Sequence, residues 1–103
     1  MTRLFISQPM RGKTDEEILK VRAEAVQAVK ERLEGEVSVV DSFLKTAPAN
    51  VCCPLWCLGR SLELLAAADV IYFAPGWEKA RGCRIEHIAA EEYGIKIIEE
   101  ERK

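Results

Sequence analysis

With 103 residues, 49% of them hydrophobic and 31% charged, the chain is long enough for one domain with a single core, which we expect to span residues 1–103. The formal net charge of −2 argues against nucleic acid as a partner, because phosphate binding normally needs a basic surface. No apolar run is long enough for a membrane span, and the polar start is no signal peptide, so we expect a cytoplasmic protein without membrane contacts.

The first part of the chain predicts a strand, a helix and a second strand. Residues 3–7 form a short apolar run that is typical of a strand and is followed by a turn-prone segment. Thr14 followed by Glu17 matches a capping box, which predicts a helix that begins there and ends at Gly35. Residues 36–43 are rich in β-branched side chains and predict the second strand.

The remaining chain predicts two more helices and two more strands. After an irregular loop, a helix should span roughly 54–67 and lead into the most apolar strand, residues 69–74. The loop 75–82 should precede a third helix that Gly94 ends, and residues 95–98 form a last short strand. Strands that alternate with helices pair in parallel, which predicts an α/β fold: a small doubly wound parallel sheet of about four strands with helices on both faces.

In such sheets, ligands bind beyond the carboxyl ends of the strands. The loop after the first strand lies at this edge and combines Pro9, which stiffens it, Gly12, which allows backbone angles closed to other residues, and the positive charge of Arg11. Since a helix N-terminus follows, the loop either binds a phosphate or sugar or is an ordinary turn. Asp41, at the end of the second strand, is a candidate for hydrogen bonding a ribose or base.

The segment after the third strand carries the other candidates. Trp77 could stack on a base or sugar, or it could cover the edge of the core. Glu86 shares a helical stripe with Gly82 and Ala90, so small residues on either side leave room for a ligand. If Glu86 lies in the first turn, the helix dipole keeps it ionised, as a nucleophile requires; alternatively it is a surface glutamate that only complements the dipole.

We expect structural roles for the residues next to Glu86 and for Asp69. His87 projects about 100° around the helix and is interpreted as a surface or interface residue. Ile85, Ile88 and Ala89 are expected to face the sheet. Asp69 begins the third strand at the opposite edge, where it should fix the turn from helix to strand.

The cysteines offer a separate interpretation. Nothing in the chain indicates export, which argues against disulfides, and the run CCPLWC lacks the two matched ligand pairs of a zinc site. We therefore expect free thiols, no metal and no cofactor. A cysteine-based metal or redox protein remains an alternative, built on Cys52, Cys53, Cys57 and Cys83.

Three segments taken together resemble the nucleoside 2-deoxyribosyltransferase superfamily, most closely a compact uncharacterised branch grouped with it. They are FISQPMRGK, LLAAADVIYFAPGW and GCRIEHIAAEEYGIKII, and the resemblance covers nearly the whole chain except residues 43–57. It implies a flavodoxin-like fold, a small-molecule nucleoside or nucleotide as substrate, and cleavage or transfer at its N-glycosidic bond. Members often complete their sites across a subunit interface, which implies a homo-oligomer.

The resemblance also implies residue roles. Glu86 stands where relatives carry the glutamate that attacks the sugar C1′, and such a carboxylate would form a glycosyl-enzyme intermediate. Relatives carry a loop of the type Ser-x-x-Arg-Gly that contacts the sugar and, in nucleotide-specific members, the 5′-phosphate. The resemblance assigns this role to Ser7, Arg11 and Gly12, with one more residue between the serine and the arginine than in relatives.

One departure from the family concerns the acid that helps to protonate the leaving base. Relatives carry an aspartate at the start of the helix before the third strand, and Ser61 stands at that position here. Serine cannot supply that proton, although Glu63 is close in sequence and Asp41 could approach in space. A non-catalytic nucleotide-binding module, a sensor or accessory protein, is therefore the alternative.

Overall fold

A computed structural model describes residues 2–9, 12–33, 35–40 and 53–99 of the chain. Its elements alternate as predicted and confirm the α/β class. In chain order they are β1 (Thr2–Ser7), α1 (Asp15–Leu33), β2 (Val37–Val39), α2 (Cys53–Leu65), β3 (Val70–Phe73), a 3₁₀ turn (Trp77–Lys79), α3 (Arg81–Glu92) and β4 (Lys96–Glu99). None of the helices in the described ranges combines the length and the apolar character needed to cross a bilayer.

The four strands form one parallel sheet in the order β2-β1-β3-β4. After β1 the chain adds β2 on one side, and it then returns to add β3 on the other side. Such a reversal leaves a crevice between the carboxyl ends of the two central strands, where sheets of this kind bind ligands. In this sheet, the crevice lies between the ends of β1 and β3.

Alternate side chains of the strands build a core on each face of the sheet. Leu4, Ile6 and Tyr72 pack with α1 on one face. Phe5 and Phe73 pack on the other face with α2 and α3. Burial on both faces explains why these strands are continuously apolar and lack polar alternation.

The capping box at the start of α1 is confirmed. The backbone N–H of Glu17 donates to Thr14 Oγ1 at 3.1 Å, and the N–H of Thr14 donates to Glu17 Oε1 at 3.4 Å. Two backbone donors at the helix start are thereby satisfied. Because Ile18 is buried one turn further on, this cap fixes where α1 meets the loop that follows β1.

Candidate functional site

The last residue of β1 and the second turn of α3 meet in the crevice. Ser7 lies on the same face of the sheet as Phe5, two residues before it, and α3 packs over that face. The hydroxyl of Ser7 donates a hydrogen bond to Glu86 Oε1 at 2.7 Å, and both residues are buried. The structure therefore brings together two of the predicted site residues, which lie 79 positions apart in the chain.

The position of Glu86 in its helix differs from the prediction. Because α3 begins at Arg81, Glu86 lies in the second turn, beyond the reach of the helix dipole. Burial raises the pKa of Glu86 to about 7, and the hydrogen bond from Ser7 opposes that shift. The expectation that the dipole keeps this carboxylate ionised is therefore wrong, since desolvation outweighs it. Near neutral pH both the protonated and the ionised form of Glu86 are therefore populated.

The buried stripe of α3 consists of Cys83, Glu86 and Ala90. The prediction that Ile85 and Ile88 face the sheet is wrong, because Ile88 is 58% exposed and Ile85 lies at the surface as well. Burying a carboxyl group costs more free energy than burying an isoleucine side chain. A helix that buries Glu86 and exposes Ile88 therefore marks Glu86 as a candidate functional residue.

Gly82 and Ala80 leave the front of α3 open. A Cβ added to Gly82 would meet no atom within 4 Å, so the glycine leaves space one turn before Glu86. Ala80 is the N-cap residue and makes no side-chain capping hydrogen bond. Backbone N–H groups at this end of the helix are therefore not capped by that side chain.

Sequence reasoning missed Cys83 as part of this cluster. Its thiol lies one turn before Glu86, is buried, and interacts with the hydroxyl of Ser7. Burial raises the pKa of the Cys83 thiol to about 11, with the nearby Glu86 acting in the same direction. The thiol is therefore neutral and no nucleophile at physiological pH. Its spacing of three residues from Glu86 was the available signal, since residues three apart share a helix face.

Ser7 thus has two polar neighbours, and its hydroxyl tunes Glu86. We expect Ser7→Ala to raise the pKa of Glu86 further, because the ionised carboxylate loses its hydrogen-bond donor. NMR titration of the Glu86 side-chain carboxyl measures this directly. Ser38→Ala, at an exposed position of β2, is the matched control and should leave the pKa of Glu86 unchanged. An unchanged or lower pKa in Ser7→Ala would contradict the assigned role.

Trp77 and His87 form an aromatic stack beside the crevice. Their rings are nearly parallel, at 5°, with centroids 4.4 Å apart, and Phe73 contacts both. The ring nitrogens of His87 lie 3.0 Å from Glu91 Oε1 and 2.7 Å from Glu99 Oε1. His87 is therefore largely enclosed and not an open surface residue. One face of Trp77 is occupied, which favours its role in covering the core edge and leaves only the other face for a ligand.

The first loop is anchored by its own residues. Gly12 has a φ of +79°, a left-handed conformation that favours glycine. Gln8 is buried, and its Nε2 donates to the carbonyl oxygen of Ile18 at 3.2 Å, which ties the loop to α1. Two predicted binding residues, Arg11 and Asp41, lie outside the described residues.

Neither Ser61, at the position of the relatives' aspartate, nor Glu63 joins the site, whereas Asp41 lies outside the described residues. Ser61 lies in the second half of α2 and not at its start, so it is displaced toward the amino ends of the strands. Glu63 pairs with Arg60 on the exposed surface. Asp69 lies at the opposite edge, as expected, where the backbone N–H of Arg3 donates to it at 2.8 Å and lowers its pKa.

The cysteine interpretation gains no support from the described part of the chain. Cys57 and Cys83 are free thiols, and no group of three or more histidine, cysteine, aspartate or glutamate residues among the described residues could hold a metal ion. Cys52 and the side chain of Cys53 lie outside that part. The described residues thus leave Glu86, Ser7 and Cys83 as the chemically distinctive cluster.

Residues 2–99 match the family model described as Domain of unknown function (DUF4406). This chain belongs to the DUF4406 family. The matched DUF4406 region extends from β1 to β4, so Ser7 and Glu86 both lie within it. No curated protein and no solved structure matches the chain. Because the description of the DUF4406 family names no activity, function has to be inferred from the site.

Proposed function

We propose that this DUF4406 protein cleaves or transfers at the N-glycosidic bond of a nucleoside or nucleotide, with Glu86 as the nucleophile. The observation that carries the proposal is the buried hydrogen bond of 2.7 Å from Ser7 Oγ to Glu86 Oε1 at the crevice between β1 and β3. A buried carboxyl group with a raised pKa at a ligand edge is a feature typical of catalytic sites. The resemblance to nucleoside 2-deoxyribosyltransferases supports a sugar as the reacting group.

The reaction would proceed in two displacements. The Glu86 carboxylate attacks C1′ as the bond between C1′ and the base nitrogen breaks, and the base leaves with the bonding electron pair and takes up a proton. Water or a second base then attacks C1′ of the glycosyl ester and regenerates the carboxylate. Ser7 holds Oε1 in place, so we assign the attack to Oε2, which has no hydrogen-bond partner among the described residues.

Substrate contacts follow from the same edge. We assign Ser7, Gly12 and Gly82 to the sugar or its phosphate, since they surround the ends of β1 and the front of α3. The face of Trp77 that points away from His87 would stack on the base. Arg11 and Asp41 remain predictions from the sequence.

A second copy of the chain would complete the site. Ser61 and Glu63 are not placed to protonate the leaving base, and apolar side chains stand exposed on α2 and α3. They include Leu55, Ile85, Ile88 and, just after α3, Tyr93. Packing copies together over this surface would bury it, so we propose a homo-oligomer. We propose the cytoplasm as its location, as expected from the sequence. Analytical ultracentrifugation tests this, and a monomer at micromolar concentration would contradict it.

Base release from a panel of 2′-deoxynucleosides and their 5′-monophosphates tests the proposed reaction, followed by liquid chromatography. We expect at least one compound to lose its base faster than the uncatalysed control. Glu86→Ala should reduce release to background, whereas Glu63→Ala should not, because Glu63 is exposed and pairs with Arg60. Absence of release from every compound would contradict an enzyme of this class.

A non-catalytic nucleotide-binding module is the second candidate. It is favoured by the burial of Glu86, which is 7% exposed, and by the distance of Ser61 from the start of α2. Nucleotides would then raise the melting temperature without release of free base. The panel distinguishes the two functions when thermal shifts are recorded on the same compounds.

A further inference from the structure

Cys83, Ser7 and Glu86 form a buried cluster between the end of β1 and the first two turns of α3. Their exposed fractions are 4%, 2% and 7%, respectively. Cys83 precedes Glu86 by three residues on the buried stripe of α3, so both side chains face the same strand end. A cluster that is largely closed to water satisfies its polar atoms mainly through its own members.

The single hydrogen of the Ser7 hydroxyl has one destination when Glu86 is ionised. Ser7 Oγ lies 2.7 Å from Glu86 Oε1, and a carboxylate only accepts hydrogen bonds, so the hydroxyl donates to it. Ser7 also shares a hydrogen bond with the thiol of Cys83. Because the hydroxyl has no second hydrogen, the thiol is the donor of that bond.

The thiol of Cys83 retains the hydrogen that this arrangement requires. Burial raises the pKa of Cys83 to about 11, against the effect of the hydrogen bond with Ser7. The nearby charge of Glu86 raises this pKa as well, and that of Arg84 lowers it. The S–H group is therefore intact at physiological pH. A thiolate would instead accept from the Ser7 hydroxyl and draw its hydrogen away from Glu86.

We propose that Cys83 is a positioning residue, whose S–H group donates to Ser7 Oγ and thereby directs the hydroxyl hydrogen of Ser7 toward Glu86 Oε1. Hydrogen bonds in series strengthen one another, because each donor is polarised by the bond that it accepts. Cys83 thus stabilises the ionised form of Glu86 without a contact to the substrate. Its effect on catalysis rests on the function proposed above, whereas the chain of hydrogen bonds does not.

Two substitutions of Cys83 separate its role as a donor from the space that its side chain fills. Cys83→Ala and Cys83→Ser leave nearly the same space beside Ser7, but only the second keeps a donor. The pKa of Glu86, measured by NMR titration of its side-chain carboxyl, should be higher in Cys83→Ala than in Cys83→Ser by about 0.5. Cys57→Ala removes another free thiol and should leave this pKa unchanged. Equal pKa values in the two Cys83 variants would overturn the proposal.

The same pair of variants in a Ser7→Ala background tests whether Cys83 acts through Ser7. The difference between the two pKa values of Glu86 should disappear there, because the hydroxyl that transmits it is gone. A difference that persists would overturn the positioning role, since the side chain at this position would then act on Glu86 directly.

These titrations need no substrate, so they are independent of the proposed reaction. A pKa difference that requires Ser7, in a protein that releases no base from any compound, would support the positioning role and contradict only the reaction. With a compound that does lose its base, the midpoint of the pH profile of kcat/KM should be higher in Cys83→Ala than in Cys83→Ser. Equal midpoints would overturn the positioning role.

Infrared spectroscopy of the wild-type protein provides a measurement that depends on no variant. An S–H stretching band should shift between pH 5 and pH 8, as Glu86 loses its proton. The reason is that Ser7 Oγ accepts more strongly from Cys83 once its own hydrogen is bonded to the ionised carboxylate. S–H bands that keep their positions throughout this range would overturn the proposal.

Discussion

Glu86→Gln should lower kcat/KM for base release at least about a thousandfold, because an amide cannot form the glycosyl ester with C1′. The substitution keeps the shape of the side chain and an oxygen for the Ser7 hydroxyl, so the fold and substrate affinity should survive. Chromatographic rate measurement with direct binding by calorimetry separates the two effects. Glu63→Gln, on the exposed surface, should retain wild-type activity. Activity in Glu86→Gln within tenfold of wild type would remove Glu86 from the nucleophile role.

The proposed role of Glu86 also predicts how the activity of the wild-type protein depends on pH. In the proposed reaction the carboxylate is the reactive form, and its pKa lies at about 7, so kcat/KM should rise with pH up to that value and level off above it. The rise should be about tenfold per pH unit on the acid side. A profile that falls through pH 7 would instead identify Glu86 as a general acid.

The second large effect concerns stability. Glu86→Gln should raise the free energy of unfolding relative to wild type by about 3 kcal/mol above pH 7, since burial of the carboxylate opposes folding. The folded protein binds the Glu86 proton more tightly than the unfolded chain does, with a pKa of about 7 against 4.5. The stability contributed by the protonated form is thus fully present below pH 4.5 and is lost as the pH rises through 7.

Urea unfolding of wild type and Glu86→Gln at pH 4 and pH 8 measures this effect. The difference between the two proteins should be small at the lower pH and large at the higher pH. Glu63→Gln provides the comparison for an exposed glutamate and should show no such pH dependence. A difference independent of pH would mean that Glu86 is not desolvated in the folded protein.

Local patterns in the sequence were sufficient to predict the elements of the fold. The alternation of apolar strands with helices implied parallel pairing, and the capping box at Thr14 and Glu17 located the start of α1. These features depend on residues close in sequence, where propensity and hydrophobic period act directly. The start of α3 was harder to predict, because Ala80 caps it without a side-chain hydrogen bond and leaves no signature.

The candidate site was predicted in part. Glu86 and Ser7 were both chosen, but their hydrogen bond spans most of the chain and the raised pKa depends on burial that no local pattern reveals. The stack of Trp77 on His87 likewise depends on Glu99 in β4, which contacts the histidine only in the folded sheet. Ile88 misled the prediction because exposed apolar residues are common, whereas a buried glutamate is rare.

Mass spectrometry of a trapped intermediate tests directly whether Glu86 bonds covalently to the sugar. A nucleoside with fluorine at C2′ destabilises the oxocarbenium-like transition state and slows breakdown of a glycosyl-enzyme. After incubation, the wild-type protein should gain the mass of the fluorinated sugar on the peptide that contains Glu86, with one base released per adduct. Glu86→Gln should gain none. Base release without an adduct on Glu86, or neither release nor adduct with any nucleoside of the panel, would contradict a nucleophilic role for Glu86.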